Sequence, residues 1–102
     1  MPLNAEHKKQ YKSIGHHLKP VLIVADNGVT EGVAAELERA LADHELIKVK
    51  VSILDREARL EMISNLCKAG RAELVQVIGK MALIYRRNPQ PNKQLSNIHR
   101  FA

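Results

Sequence analysis

The side chains able to do chemistry are few, and their spacing limits what they can do. His16 and His17 are adjacent, His44 stands alone and His99 lies near the end. Cys67 is the one cysteine and has no partner at C-x-x-C spacing. A metal site would have to be assembled from distant residues. Surface histidines and a small buried thiol are the simpler roles. Ser13, Ser52, Ser64 and Ser96 lie in no nucleophile-elbow pattern. Cys67 falls on the expected inward face of its helix, a poor place for an attacking thiolate. The carboxylates are scattered over helix surfaces, and neither a Walker A run nor G-x-G-x-x-G is present. The chain therefore reads as a non-enzyme with no metal and no cofactor.

Two features suit phosphate contact instead. Ala25-Asp26-Asn27-Gly28 follows a strand and opens a helix. Free N–H groups of a first helical turn, together with the helix dipole, favour an anion there. Gly28 lets the backbone turn tightly and approach a ligand. Asp26 opposes this by its charge, and the plainer reading is an ordinary turn. Lys48 and Lys50 alternate with apolar residues on one strand, so they share a face about 7 Å apart. Aromatic residues are limited to Tyr11, Tyr85 and Phe101, with no Trp. A platform stacking several bases needs more than that. Contacts to the backbone and shape of a folded RNA need only basic and polar groups.

Charge placement agrees. The net formal charge is +5. Residues 1–20 contribute +3, residues 21–79 contribute −3, and residues 80–102 contribute +5 through Lys80, Arg86, Arg87, Lys93 and Arg100. Ends that share one surface would concentrate a field for a polyanion. The alternative is a solubilising surface with basic tails.

The elements that must position these residues follow from periodicity. At 102 residues the chain is one domain, and 45% hydrophobic content is too high for disorder. Tyr11, Ile14 and Leu18 mark one face of a helix over residues 4–17, ended by Pro20. Val21–Ala25 is a continuous apolar run, expected as a strand covered on both faces. Thr30 caps a helix to about Asp43 with Val33, Leu37, Ala40 and Leu41 inward. Leu46–Ile53 alternates strictly and predicts a strand. Asp55 caps a helix to about Ala69 with Ile63, Leu66 and Cys67 inward and Gly70 at C′. Ala72–Ile78 and Met81–Arg86 are strands joined by Gly79-Lys80 in a type II′ turn. From Asn88 onward the pattern dissolves into a loose basic tail, in which Leu95, Ile98 and Phe101 can form a short docking segment. The order α-β-α-β-α-β-β makes an α/β domain with a four-stranded mixed sheet covered by helices. The domain is expected over 1–87 and the tail over 88–102. No apolar run reaches a membrane span and the N-terminus does not read as a signal peptide. A cytoplasmic protein without membrane contact is expected, and the lone cysteine suits a reducing compartment.

Several segments in order resemble a known family. They are Leu18-Lys19-Pro20, Asn27-Gly28-Val29-Thr30-Glu31, His44-Glu45-Leu46-Ile47-Lys48-Val49-Lys50, Val77-Ile78-Gly79-Lys80 and Leu83-Ile84-Tyr85-Arg86. This set resembles the CRM domain, the chloroplast RNA-splicing and ribosome-maturation module, in particular its bacterial stand-alone YhbY form, over residues 3–87. The resemblance implies a fold similar to the C-terminal domain of a translation initiation factor. It also implies association with the precursor of the large ribosomal subunit. The family's Gly-x-x-Gly loop maps onto residues 25–28, with Ala25 in place of the first glycine and Gly28 kept. Its basic strand positions map onto Lys48 and Lys50, and its terminal arginine onto Arg86.

The expected partner is structured RNA, large-subunit ribosomal RNA or its precursor particle, bound by a monomer. The candidate RNA-binding residues are Lys8, Lys12, Lys19, Asn27, Gly28, Lys48, Lys50, Lys80, Arg86 and Arg87. The alternative is a protein-interaction module that docks on a ribosomal protein or an assembly factor, with charge serving only for steering.

Overall fold

The computed structural model describes residues 3–101. Three long helices, a fourth short one and four strands follow in the order α1 (Ala5–Gly15), β1 (Pro20–Val24), α2 (Glu31–His44), β2 (Leu46–Val51), α3 (Arg56–Gly70), β3 (Glu73–Ile78), β4 (Met81–Tyr85) and α4 (Asn97–Arg100). Asn4, Thr30 and Asp55 start the long helices. Each side chain accepts a hydrogen bond from the N–H three residues on, filling one of the orphan donors of a first turn. None of the described helices is long and apolar enough to cross a membrane.

The sheet order is β1-β2-β4-β3. β1 and β2 are parallel, joined through α2, and β4 runs antiparallel to both of its neighbours. The crossover through α3 leaves one position open beside β2, and the β3–β4 hairpin returns the chain into it. Gly79 takes φ +57, as the first position of a type II′ turn requires. α2 and α3 cover one face, where Leu37, Leu41, Ile63 and Leu66 pack on Leu22, Val24, Val49, Val51 and Ile84. α1 covers the other face only toward the Tyr85 end, where Tyr11 and Ile14 meet Leu46, Val75 and Leu83. The hairpin end of that face, near Ile78 and Met81, stays open.

Three expectations need correction. β1 is not covered on both faces: Leu22 and Val24 are buried, but Val21 and Ile23 are exposed. The strand lies at the sheet edge, and α1 packs mainly on β2 and β3 instead. Gly70 is the last residue of α3 rather than its C′, and Arg71 takes the left-handed conformation at φ 52. A Cβ on Gly70 would stand 2.8 Å from Leu41 Cδ1 and 3.0 Å from Leu37 Cδ2. That glycine serves the close approach of α3 to α2.

The segment after Asn88 is not loose. Asn88 N–H and Ser96 Oγ–H donate to the two carboxylate oxygens of buried Glu45 at 2.9 and 2.8 Å. Asn88 Nδ2 donates to the Ala42 carbonyl at 2.8 Å, and Asn97 Nδ2 to that of Leu46 at 2.6 Å. The pairing of β1 with β2 begins only at Lys48, so Asn97 satisfies a carbonyl that β1 does not reach. Ile98 packs with the α1 cluster, and α4 forms the short docking segment. The apolar and charge patterns do not register these contacts, because polar side chains make most of them.

Candidate nucleic-acid interface

At the hairpin end, three connections meet. Loop 25–28 leaves β1, Ser52–Asp55 leaves β2, and the Gly79-Lys80 turn joins β3 to β4. Ser52 N–H donates to the Val24 carbonyl and Val51 N–H to the Lys80 carbonyl, both at 2.7 Å. These bonds hold loop, strand end and turn together. On the open face, two rows of side chains cross the sheet beside them. One row is Lys48, Leu83 and Gln76; the other is Ile23, Lys50, Met81 and Ile78.

Lys48 and Lys50 are half-buried, with stems against apolar neighbours. Among the described residues, Lys48, Lys50 and Lys80 have no carboxylate partner. Their charge is uncompensated at short range, which is what phosphate contact requires.

In the 25–28 loop, Gly28 N–H donates to the Ala25 carbonyl at 2.9 Å, closing a β-turn. Gly28 then takes φ +75. Among the described residues, Glu45 and Arg71 are the positive-φ residues other than glycine, so Ala25 has no positive φ that would call for a glycine. Asn27 and Asp26 are exposed, and Met62 lies beneath Gly28. The loop leads through Val29 to Thr30, whose Oγ1 accepts from Val33 N–H at 3.2 Å.

The remaining candidates lie elsewhere. Lys8 and Lys12 are on α1, over the same sheet face but toward its covered part. Lys19 lies beside His17, Arg100 and Phe101, so the two chain ends do share a surface there. Arg86 is at the Tyr85 end and is engaged within the protein. Its Nη1 donates to Glu38 Oε1 at 2.9 Å and to the Gly70 carbonyl at 3.0 Å, and its Nη2 pairs with Glu38 Oε2. That hydrogen bond holds the Glu38 carboxyl below its usual pKa, against a smaller opposing effect of burial. Arg87 is exposed at the same end, beside Arg71 and Glu73. Burial raises the pKa of the Cys67 thiol, which disfavours the nucleophilic thiolate. Among the described residues, no group of three His, Cys, Asp or Glu could hold a metal ion.

The family model of the CRS1/YhbY (CRM) domain matches residues 3–86. The chain belongs to this family. A relative from Pseudomonas aeruginosa, named a probable RNA-binding protein, is 68% identical over 102 residues, spanning 100% of this chain and 98% of its own. A Haemophilus influenzae protein named RNA-binding protein is 43% identical over 93 residues, covering 91% of this chain and 94% of its own. The solution structure of a hypothetical protein from Staphylococcus aureus superposes with a TM-score of 0.77 at 33% identity, covering 93% and 98% of the two chains.

Within this CRM domain, three polar side chains at the hairpin end escape a reading by composition and periodicity. Arg56 and Arg59 open α3 and, with Leu60, Val77 and Gly79, line a groove beside the turn. Arg59 Nη1 donates to the Ile53 and Leu54 carbonyls at 2.9 and 3.2 Å, pinning the end of the β2–α3 connection. Both arginines occupy a first helical turn, and only their proximity to Gly79 in space marks them. Gln76 reaches the open face through a bulge between Leu74 and Gln76.

Proposed function

We propose that the chain binds structured RNA at the hairpin end of its sheet. Lys48, Lys50 and Lys80 contact phosphates, and the 25–28 loop lies beside them. The observation that carries this reading is the pair Lys48 and Lys50 on an open sheet face, without acidic partners among the described residues and next to a Gly28 turn. The names of the relatives support the ligand class. The ligand is large-subunit ribosomal RNA or its precursor particle, and the role is assembly of that subunit, by a cytoplasmic monomer. Recognition works on backbone and shape, since few aromatic side chains are present to stack bases.

Salt titration of binding to ribosomal RNA fragments tests this. The Lys48→Ala, Lys50→Ala double variant should bind more weakly to many sequences. Its slope of log affinity against log salt should shrink by about 0.7–0.9 for each lysine that no longer meets a phosphate. A folded double variant with an unchanged slope would place the binding face elsewhere. A shallow slope for the wild-type chain itself would favour docking on a protein. Crosslinking in cells, with sequencing of the attached RNA, identifies the helix bound.

A further inference from the structure

A cavity of about 110 Å3 opens on the uncovered sheet face, between the end of α1 and the β3–β4 hairpin. Its floor is Leu83 and Met81, and Ile78 forms an exposed wall. Gly15 closes the opposite side. A Cβ there would stand 2.6 Å from Leu83 Cδ2, so any larger residue would have to push the Leu83 side chain out of this floor. Two polar groups flank Leu83 in one row across the sheet. Lys48 pairs with it from β2 and Gln76 from β3. Two strand spacings separate them, about 10 Å, with an apolar surface between.

The bulge explains why Gln76 is there. Val75 belongs to the α1 cluster on this face, so strict alternation would send Gln76 to the opposite one. The register shift between Leu74 and Gln76 places Gln76 opposite Leu83 instead, and Ile78 opposite Met81. Bulges that re-aim a side chain are over-represented beside functional sites. Among the described residues, Gln76 makes no side-chain hydrogen bond within the protein.

We infer that this cavity is a subsite for one unpaired nucleobase. An apolar floor takes the face of a planar ring. The Gln76 amide offers a donor and an acceptor in one plane, which matches the edge of a base, and Lys48 adds a donor from the other side. The cavity is about three quarters of the roughly 150 Å3 that encloses benzene, and it opens to solvent, so it takes the face and one edge of a six-membered ring rather than enclosing the ring. A pyrimidine, or the six-membered edge of a purine, fits this description. Lys50, in the next row, is placed for the phosphate of the same nucleotide. The subsite rests on the RNA-binding reading and adds to it one extruded base beside a backbone-bound fold.

Single-stranded hexanucleotides test it: homopolymers of uridine, adenosine and cytidine, each compared with a matched oligomer carrying abasic sugars. At least one homopolymer should bind about tenfold or more tightly than its abasic counterpart. Gln76→Leu, at a half-buried position beside Leu83 and Ile78, should remove that preference while duplex RNA still binds with its full salt slope. In NMR titrations the Gln76 side-chain amide should shift with the base-bearing oligomer and not with the abasic one. Equal affinities for base-bearing and abasic oligomers, with duplex binding intact, overturn the subsite alone. So does a base preference that survives in Gln76→Leu, or an amide that never moves. Failure of every RNA to bind overturns the subsite and the RNA reading together.

Discussion

At the scale of single residues, charge type predicts less than charge pairing. Arg86 and Lys50 look alike in the sequence as basic residues at or near strand ends. Arg86 is consumed by Glu38 and the Gly70 carbonyl, whereas Lys50 has no carboxylate partner among the described residues. Glu38 is therefore a structural acid, and neutralising it would disturb the α2–α3 junction along with the charge. Asp26 is different: it is exposed in the loop that leads to α2. If a phosphate lies over this loop, Asp26→Asn should tighten RNA binding by about 0.5–1 kcal/mol. Asp43→Asn, at the far end of α2, is the control for a general charge effect. Equal responses of the two variants in titrations at two salt concentrations would remove the loop from the interface.

Among the elements, the helices cover the sheet unequally, and that inequality leaves the proposed site open. α2 and α3 shield one face along its length because their contact is close, and Gly70 makes it so. Gly70→Ala raises helix propensity but forces a methyl group against Leu37 and Leu41. Overpacking should win, lowering stability by about 1–3 kcal/mol, read as a lower denaturant midpoint at unchanged slope. A rise in the midpoint would mean that the two leucines move aside freely. On the other face, α1 stops at Gly15 over the middle of the sheet, and the hairpin end is left to Lys48, Lys50, Met81 and Ile78. Edge strand β1 presents Ile23 at 63% exposure beside Lys50, which extends this mixed basic and apolar surface to the sheet edge.

For the whole molecule, the C-terminal segment belongs to the fold. Glu45 is buried at the α2–β2 junction with φ 61, and both its carboxylate oxygens take hydrogen bonds from residues after Tyr85. Deleting residues 88–102 removes these donors together with the packing of Ile98. The truncated chain should lose about 2 kcal/mol, a discounted figure because water reaches Glu45 once the segment is gone. Chemical denaturation measures it, and an unchanged midpoint would show that the segment contributes nothing to stability. An affinity loss on truncation therefore has to be measured on the folded fraction before the basic residues of the segment are credited with it.

Periodicity and punctuation in the sequence determined most of the architecture. Tyr11 and Ile14 on α1, the alternation from Leu46 to Val51, the Thr30 and Asp55 caps and the Gly79-Lys80 turn are local signals. Each expresses a preference that its own neighbours satisfy. Lys48 and Lys50 are legible as candidates for the same reason, since strict alternation puts them on one face. Tertiary structure decided the rest. Whether Val21–Val24 is covered on both faces depends on where α1 ends, which nothing within the strand encodes. That Arg86 is neutralised depends on Glu38, 48 positions away. The face Gln76 occupies depends on a bulge, and a bulge changes the register of a pairing without a mark in one strand's own hydrophobic pattern. The anchoring of the C-terminal segment rests on Ser96, Asn97 and Asn88 meeting Glu45, Leu46 and Ala42. Polar residues in a Pro- and Asn-rich stretch read as loop by composition. Only long-range geometry supplies the buried partners that make them part of the core.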